Sequence, residues 1–188
     1  MNEIAKLGGK LLLISGVAGL ALGITNAVTS GPIAEQQILA ANAARSAVLP
    51  SADGRFEEIK AASDALDDIY CGFNKADEKV GYTGKMTVKG YGGQIEVTVG
   101  MNMDGVIEGV DVGGSNFSET AGLGAKTKDA AFRDQFQGMD ASQPDRIAVK
   151  ADGGDVDAVS SATISSRAVS NGVRTICEEL LTLVKEGA

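Results

Sequence analysis

Two short stretches of this chain combine residue types at spacings that could hold a ligand. Asp157-Ala158-Val159-Ser160-Ser161-Ala162-Thr163 sets one carboxylate and three hydroxyls just ahead of a helical periodicity that begins near Ile164. A helix start offers unpaired N–H groups and the positive end of the dipole, which together make a seat for a phosphate. The same hydroxyls also suit plain helix capping. Glu119-Thr120-Ala121-Gly122-Leu123-Gly124 places an acid ahead of two glycines. Glycine there would let backbone approach a ligand closely, or would serve only as a turn.

Other chemistries lack material. The chain contains no histidine, which removes imidazole as a metal ligand, as the base of a nucleophile and as a switch near neutral pH. Cys71 and Cys177 lie too far apart for C-x-x-C, and two thiols cannot fill a zinc or iron–sulfur site. No catalytic side chains and no metal ligands are therefore assigned, and any redox chemistry would run on an organic cofactor. Acidic residues number 25 against 17 basic ones, for a net charge of −8, so a nucleic-acid surface has nothing to build on.

The elements that must position the two motifs follow from patterning. From Leu11 to Ala34 the chain has 24 consecutive uncharged residues. As a helix they would cover roughly 36 Å against a hydrocarbon core of about 30 Å, enough for a single span. Lys6 and Lys10 precede the run, and the next basic residue is Arg45, which puts the N-terminus in the cytoplasm and the rest outside. A cleaved signal peptide is the competing reading, with Leu11 to Ile24 as its apolar region and Thr25-Asn26-Ala27 as a small-residue site. Gly16, Gly19 and Gly23 fall on one helix face and allow a second helix to approach.

Beyond the span, Ala34 to Leu49 and Phe56 to Ile69 read as two short helices, the second on the spacing of Phe56, Ile59, Ala62 and Leu66. From Lys85 the period becomes two: Met86 and Val88 alternate, then Ile95, Val97, Val99 and Met101 share a face opposite Glu96 and Thr98. Asp104-Gly105 before Val106 to Val112 predicts a hairpin. Lys128 to Phe136 reads as helix, Arg146 to Lys150 as a short strand, and Ile164 onward as helix with a stripe of Val169, Val173, Ile176, Leu180 and Leu183. The fold class is α+β: one N-terminal transmembrane helix, then an antiparallel sheet with flanking helices.

The first motif resembles the flavin-transfer sequence D-x-x-S/T-G-A-T of membrane-anchored FMN-binding domains, and the second resembles the E-T-P-G-L-G loop of the same family. The two occur in the family's order behind a single apolar span. Ser161 stands where the family usually has Gly, and Ala121 where it usually has Pro; a position that needs positive φ takes a Cβ less comfortably. The resemblance covers Lys85 to about Ala188 and extends less specifically to the anchor. In length and layout the chain resembles the G subunits of Rnf complexes, the ion-translocating ferredoxin:NAD⁺ oxidoreductases. The C subunits of sodium-translocating NADH:quinone reductase are the alternative.

The resemblance implies an anchor at 1–34, a helical connector at 35–79 and an FMN-binding domain at 80–188. It implies FMN joined by a phosphoester to Thr163, with Glu119, Thr120, Gly122, Leu123, Gly124, Asp157, Ser160, Ser161 and Ala162 around the cofactor. The chain would be an electron-carrying subunit of a redox-driven, ion-translocating oxidoreductase, with no complete active site of its own. Its partners would be the other membrane and redox subunits, and a separate flavin transferase would load it. A cofactor-free scaffold subunit and a secreted module holding its ligand noncovalently are the readings from other classes.

Overall fold

The structure is a computed structural model that describes residues 2–59 and 65–186. The chain divides into two compact units, Met1–Ala41 and Asn42–Ala188.

The first unit is helical. The helix α1 runs over Asn2–Val48, 47 residues, with Pro32 inside it. Leucine, isoleucine and valine stand exposed at positions such as Leu11, Leu12, Leu13, Ile14 and Val17. Consecutive positions point in different directions around a helix, so this apolar surface has no polar side to turn to water. The helix is long and apolar enough to cross a membrane, and none of its most apolar window is buried within the protein. Ala34 to Leu49, expected to be a separate short helix, continues α1 instead as far as Val48. Proline deletes one backbone bond, whereas the Ala-rich sequence beyond it propagates the helix readily. Nearby hydroxyls turn back on the backbone: Thr25 donates to Ala21 O and Thr29 to Thr25 O, both at 2.9 Å.

The second unit is built on one antiparallel sheet in the order β1-β2-β3-β4-β5. Its strands are β1 (Arg55–Glu58), β2 (Asp68–Phe73), β3 (Lys79–Lys89), β4 (Gln94–Asn102) and β5 (Ile107–Gly113). On β4 the expected alternation holds: Ile95, Val97, Val99 and Met101 are fully buried. The expected Asp104-Gly105 hairpin joins β4 to β5, where Gly105 takes φ +79° and Asn102 Oδ1 accepts from the N–H groups of Asp104 and Val106 at 3.0 Å. Five short helical segments follow the sheet in sequence, and the last helix α3 (Thr163–Glu186) lies across it. Its stripe of Val169, Val173, Ile176, Leu180 and Leu183 is buried. A Cβ on Gly84 of β3 would press into Ile176, and one on Gly172 of α3 into Val88.

The opposite sheet face is a trough of glycines. Gly72 pairs with Gly81 across β2 and β3, and Gly100 with Gly109 across β4 and β5. The end of α1 fills the space they leave: a Cβ on Gly100 would land on the Val48 carbonyl, and one on Gly72 would lie 2.6 Å from Leu49. Val48 and Leu49 are buried. One turn earlier, the Arg45 guanidinium lies 3.7 Å from the Tyr70 ring centroid and 3.2 Å from the Asp68 carboxylate.

Three expectations need correction. Arg55–Glu58 is a strand rather than the start of a helix, pairing with β2 from Arg55↔Phe73 to Glu58↔Tyr70, and Ile69 lies in β2; Ala62 falls outside the described residues. The local spacing suits a helix, but the free edge of β2 supplies backbone partners that a helix here would leave unused. Lys128 to Phe136 is helical only in pieces, a 3-10 turn at Gly124–Lys128, α2 (Ala130–Arg133) and a 3-10 turn at Asp134–Phe136. The break is Asp129, which is extended at ψ 144°. Arg146 to Lys150 is not a strand: 3-10 turns flank it at Pro144–Arg146 and Lys150–Asp152, with a single bridge between Val149 and Val156. Ile147, Ala148 and Val149 are buried in succession, so this apolar run is core packing without a ladder.

Candidate functional site

The first motif lies where the chain enters α3. Ser161 takes φ +62°, which turns the chain so that Ala162 N–H reaches Val159 O at 2.9 Å. The helix start is tied from within. The buried Ser166 hydroxyl donates to Ala162 O and accepts from Val159 N–H, each at 3.0 Å. Ser166 thus ties the preceding loop to the helix without capping its first N–H groups, and the exposed Thr163 hydroxyl makes no hydrogen bond to the protein among the described residues. The preceding loop is pinned at several points. Lys150 pairs with Asp157 at 2.8 Å, Gln135 Oε1 accepts from Asp157 N–H at 2.7 Å, and Arg167 grips Asp152 through two bonds of 2.5 and 2.7 Å. That guanidinium holds the Asp152 carboxyl below its ordinary value.

The second motif folds as a compact turn. Thr120 O accepts from Leu123 N–H and Ala125 N–H, both at 3.1 Å, and Gly122 takes φ +79°. Gly124 is glycine for a different reason, because a Cβ there would collide with the Glu119 carboxylate and sit 3.0 Å from Ser165 Oγ. The loop closes without proline at Ala121.

Glu119 connects this loop to a third segment, the β3–β4 turn Gly90-Tyr91-Gly92-Gly93. Its Oε1 accepts from Gly92 N–H at 3.0 Å, and a Cβ on Gly90 would also strike it. Its Oε2 is buried with no partner among the described residues. A buried carboxylate oxygen left without a donor is costly, and a ligand that brings an N–H or O–H would complete it.

These segments converge on one cavity of about 430 Å³, within the size range of small-molecule sites. Of the residues expected from sequence, Glu119, Thr120, Leu123, Gly124, Ser161, Ala162 and Thr163 line it together. Gly122, Asp157 and Ser160 stand off its wall, Gly122 as a left-handed turn residue and Asp157 as an exposed anchor for its loop. Sequence reasoning missed Tyr91, Ile164 and Ser165, which also line it. The available signal was a solitary aromatic among three glycines at Gly90 to Gly93.

The wall has one further property. Beyond residue 41, the exposed large apolar residues among those described are Tyr91 at 74%, Leu123 at 40% and Ile164 at 55%, and all three face this cavity. Apolar surface concentrated at a concavity beside a free hydroxyl suits a ligand with a flat apolar part and a polar tail.

Comparison with known proteins agrees. Residues 90–178 match the family model described as an FMN-binding domain, which sets the class of this unit. The chain is 37% identical to the G subunit of the Na(+)-translocating ferredoxin:NAD(+) oxidoreductase complex of Acetobacterium woodii, over 90% of this chain and 88% of that one. It is 33% identical to the G subunit of the ion-translocating oxidoreductase complex of Methanosarcina acetivorans, over 93% of each chain. The chain belongs to the family of G subunits of ion-translocating oxidoreductase complexes. The crystal structure of Shewanella oneidensis NqrC has a similar fold, with a TM-score of 0.52 at 20% identity over 69% of each chain.

Proposed function

We propose that this chain is the electron-carrying flavin subunit of a membrane complex that couples electron transfer from ferredoxin to NAD⁺ with ion translocation, and that its FMN is held by a phosphoester to Thr163. The observation that carries the reading is the coincidence of the free Thr163 hydroxyl, the orphaned Glu119 Oε2 and the exposed apolar trio on one cavity. These residues fit FMN. Thr163 Oγ1 would bear the phosphate, beside the unpaired N–H groups of the first turn of α3. Leu123 and Ile164 would cover the ring, and Glu119 Oε2 would accept from a ligand N–H or O–H. Bound FMN supplies the redox chemistry, and the chain's own residues orient it and tune its potential. A covalent tether prevents loss of the cofactor, and α1 keeps it at high effective concentration near its redox partners.

Loading calls for a separate flavin transferase with FAD as donor. Lys6 and Lys10 ahead of the apolar run support an N-terminus in the cytoplasm and the flavin domain on the outer side, where protease added to intact spheroplasts reaches it. The small face of Gly16, Gly19 and Gly23 suits packing against other subunits of the complex.

The deciding experiment is intact-mass analysis after expression with and without a flavin transferase, followed by peptide mapping. The expected result is a gain of FMN less one water on the peptide containing Thr163, seen only with the transferase and absent in Thr163→Val. Attachment at another residue, or none in the presence of the transferase, refutes the reading. A folded, colourless protein would favour the scaffold alternative.

A further inference from the structure

Tyr91 stands on the cavity wall far in sequence from both motifs. Its ring is 74% exposed, so the fold gains little from it. Its backbone, by contrast, is held on both sides. Ser165 Oγ accepts from Tyr91 N–H at 3.4 Å, Glu119 Oε1 accepts from Gly92 N–H at 3.0 Å, and Gly90 N–H closes the turn on Gly93 O at 2.8 Å. A Cβ on Gly92 would run into Ser118 O. Three glycines thus let the turn seat against the 118–119 backbone, and a rigid turn presents a free aromatic ring to the cavity.

We propose that the Tyr91 phenol stacks on the flavin ring and thereby sets its emission and its potential. The proposal rests on FMN occupying this cavity from Thr163. Flat electron-poor rings are bound well by aromatic side chains in offset contact, and Leu123 and Ile164 supply the remaining apolar wall. An electron-rich phenol in contact with oxidised flavin stabilises that form over the reduced one, which lowers the potential. It also quenches excited flavin by electron donation, which a phenyl ring does far less well. The chain makes this test unusually clean. It has no tryptophan and only three tyrosines; Tyr82 is fully buried in the core, and the ring of Tyr70 is covered by Arg45.

The test compares full-length, covalently flavinylated protein in detergent, with emission normalised to the flavin released on proteolysis. Tyr91→Phe should brighten flavin emission severalfold and abolish the fastest component of its decay, and Tyr91→Leu should raise the midpoint potential. Tyr70→Phe should match the wild type. Unchanged emission in Tyr91→Phe overturns the proposal, as does brightening in Tyr70→Phe instead. Failure of flavin to attach at Thr163 in the wild type overturns the underlying reading as well, and mass analysis separates the two cases.

Discussion

Ser161→Gly should stabilise the folded unit although it removes atoms from it. Ser161 is held at φ +62°, a region where a Cβ costs roughly 1–2 kcal/mol and glycine is comfortable. Its side chain is exposed and makes no hydrogen bond among the described residues, so the substitution breaks no contact. Against the relief stands the added freedom of glycine in the unfolded chain, about 0.4–1 kcal/mol. The balance is a gain of about 0.5–1 kcal/mol, or ~1–4 °C in Tm for a unit of this size. Ser161→Val makes the opposite comparison, since a β-branched residue is a marked outlier at positive φ, and should melt below the wild type. The assay is thermal unfolding of the purified chain in detergent, followed by circular dichroism at 222 nm, a wavelength that reads helix such as α3 (~3.6 residues per turn). A Tm for Ser161→Gly at or below that of the wild type would refute the strain argument and assign the serine hydroxyl a contact of its own.

Two further outcomes follow from titratable groups. Burial, with a smaller contribution from Glu178, pushes the Cys177 thiol up to about 12, and burial also raises Cys71; neither should react with a maleimide at pH ~8 unless the unit unfolds, because the thiolate is the reactive form. Asp152 is held below its ordinary 3.8 chiefly by its hydrogen bond to Arg167. A depressed carboxyl stabilises the fold above its unfolded value and loses that contribution as pH falls through its folded value. Acid should therefore release the 150–152 turn from α3, and hydrogen exchange at Asp152 to Gly154 should accelerate only below the usual carboxylate range, an effect that Asp152→Asn abolishes.

How much of this was legible in the sequence depends on the range of the interaction involved. Ile95, Val97, Val99 and Met101 declare β4 through strict alternation, and the stripe from Val169 to Leu183 declares α3, because each reports a single buried face. Both motifs are also contiguous strings, and seven of the ten residues drawn from them reach the cavity. Phe56 and Ile59 misled because their partner is the edge of β2, which local spacing does not contain. Tyr91 and Ser165 come to the cavity only when the β3–β4 turn folds against the start of α3, 74 residues later in the chain. Ser161 was readable as a departure from the family pattern, but only the backbone dihedral says what the departure costs. Gly122, at φ +79°, does not line the wall although Leu123 and Gly124 do, a distinction the contiguous string does not carry.

The glycine trough bears on where this protein can be cut. Glycine is a poor strand former, yet four of them meet in the middle of the sheet, which therefore depends on something bulky to complete that face. Val48 and Leu49 do so, and burying two such side chains is worth about 1.5–3 kcal/mol each. Hydropathy alone would suggest trimming the anchor at any point before the first strand, and Pro50 looks like an inviting start. A soluble fragment beginning at Pro50 would carry every strand and both motifs but leave the trough open to water, a sheet without its wedge. One beginning near Glu35 retains the wedge and the Arg45 clamp on Tyr70. The last two turns of α1 thus belong to the fold of the flavin domain as fully as any strand, and the seam between anchor and domain lies inside a helix rather than at its end.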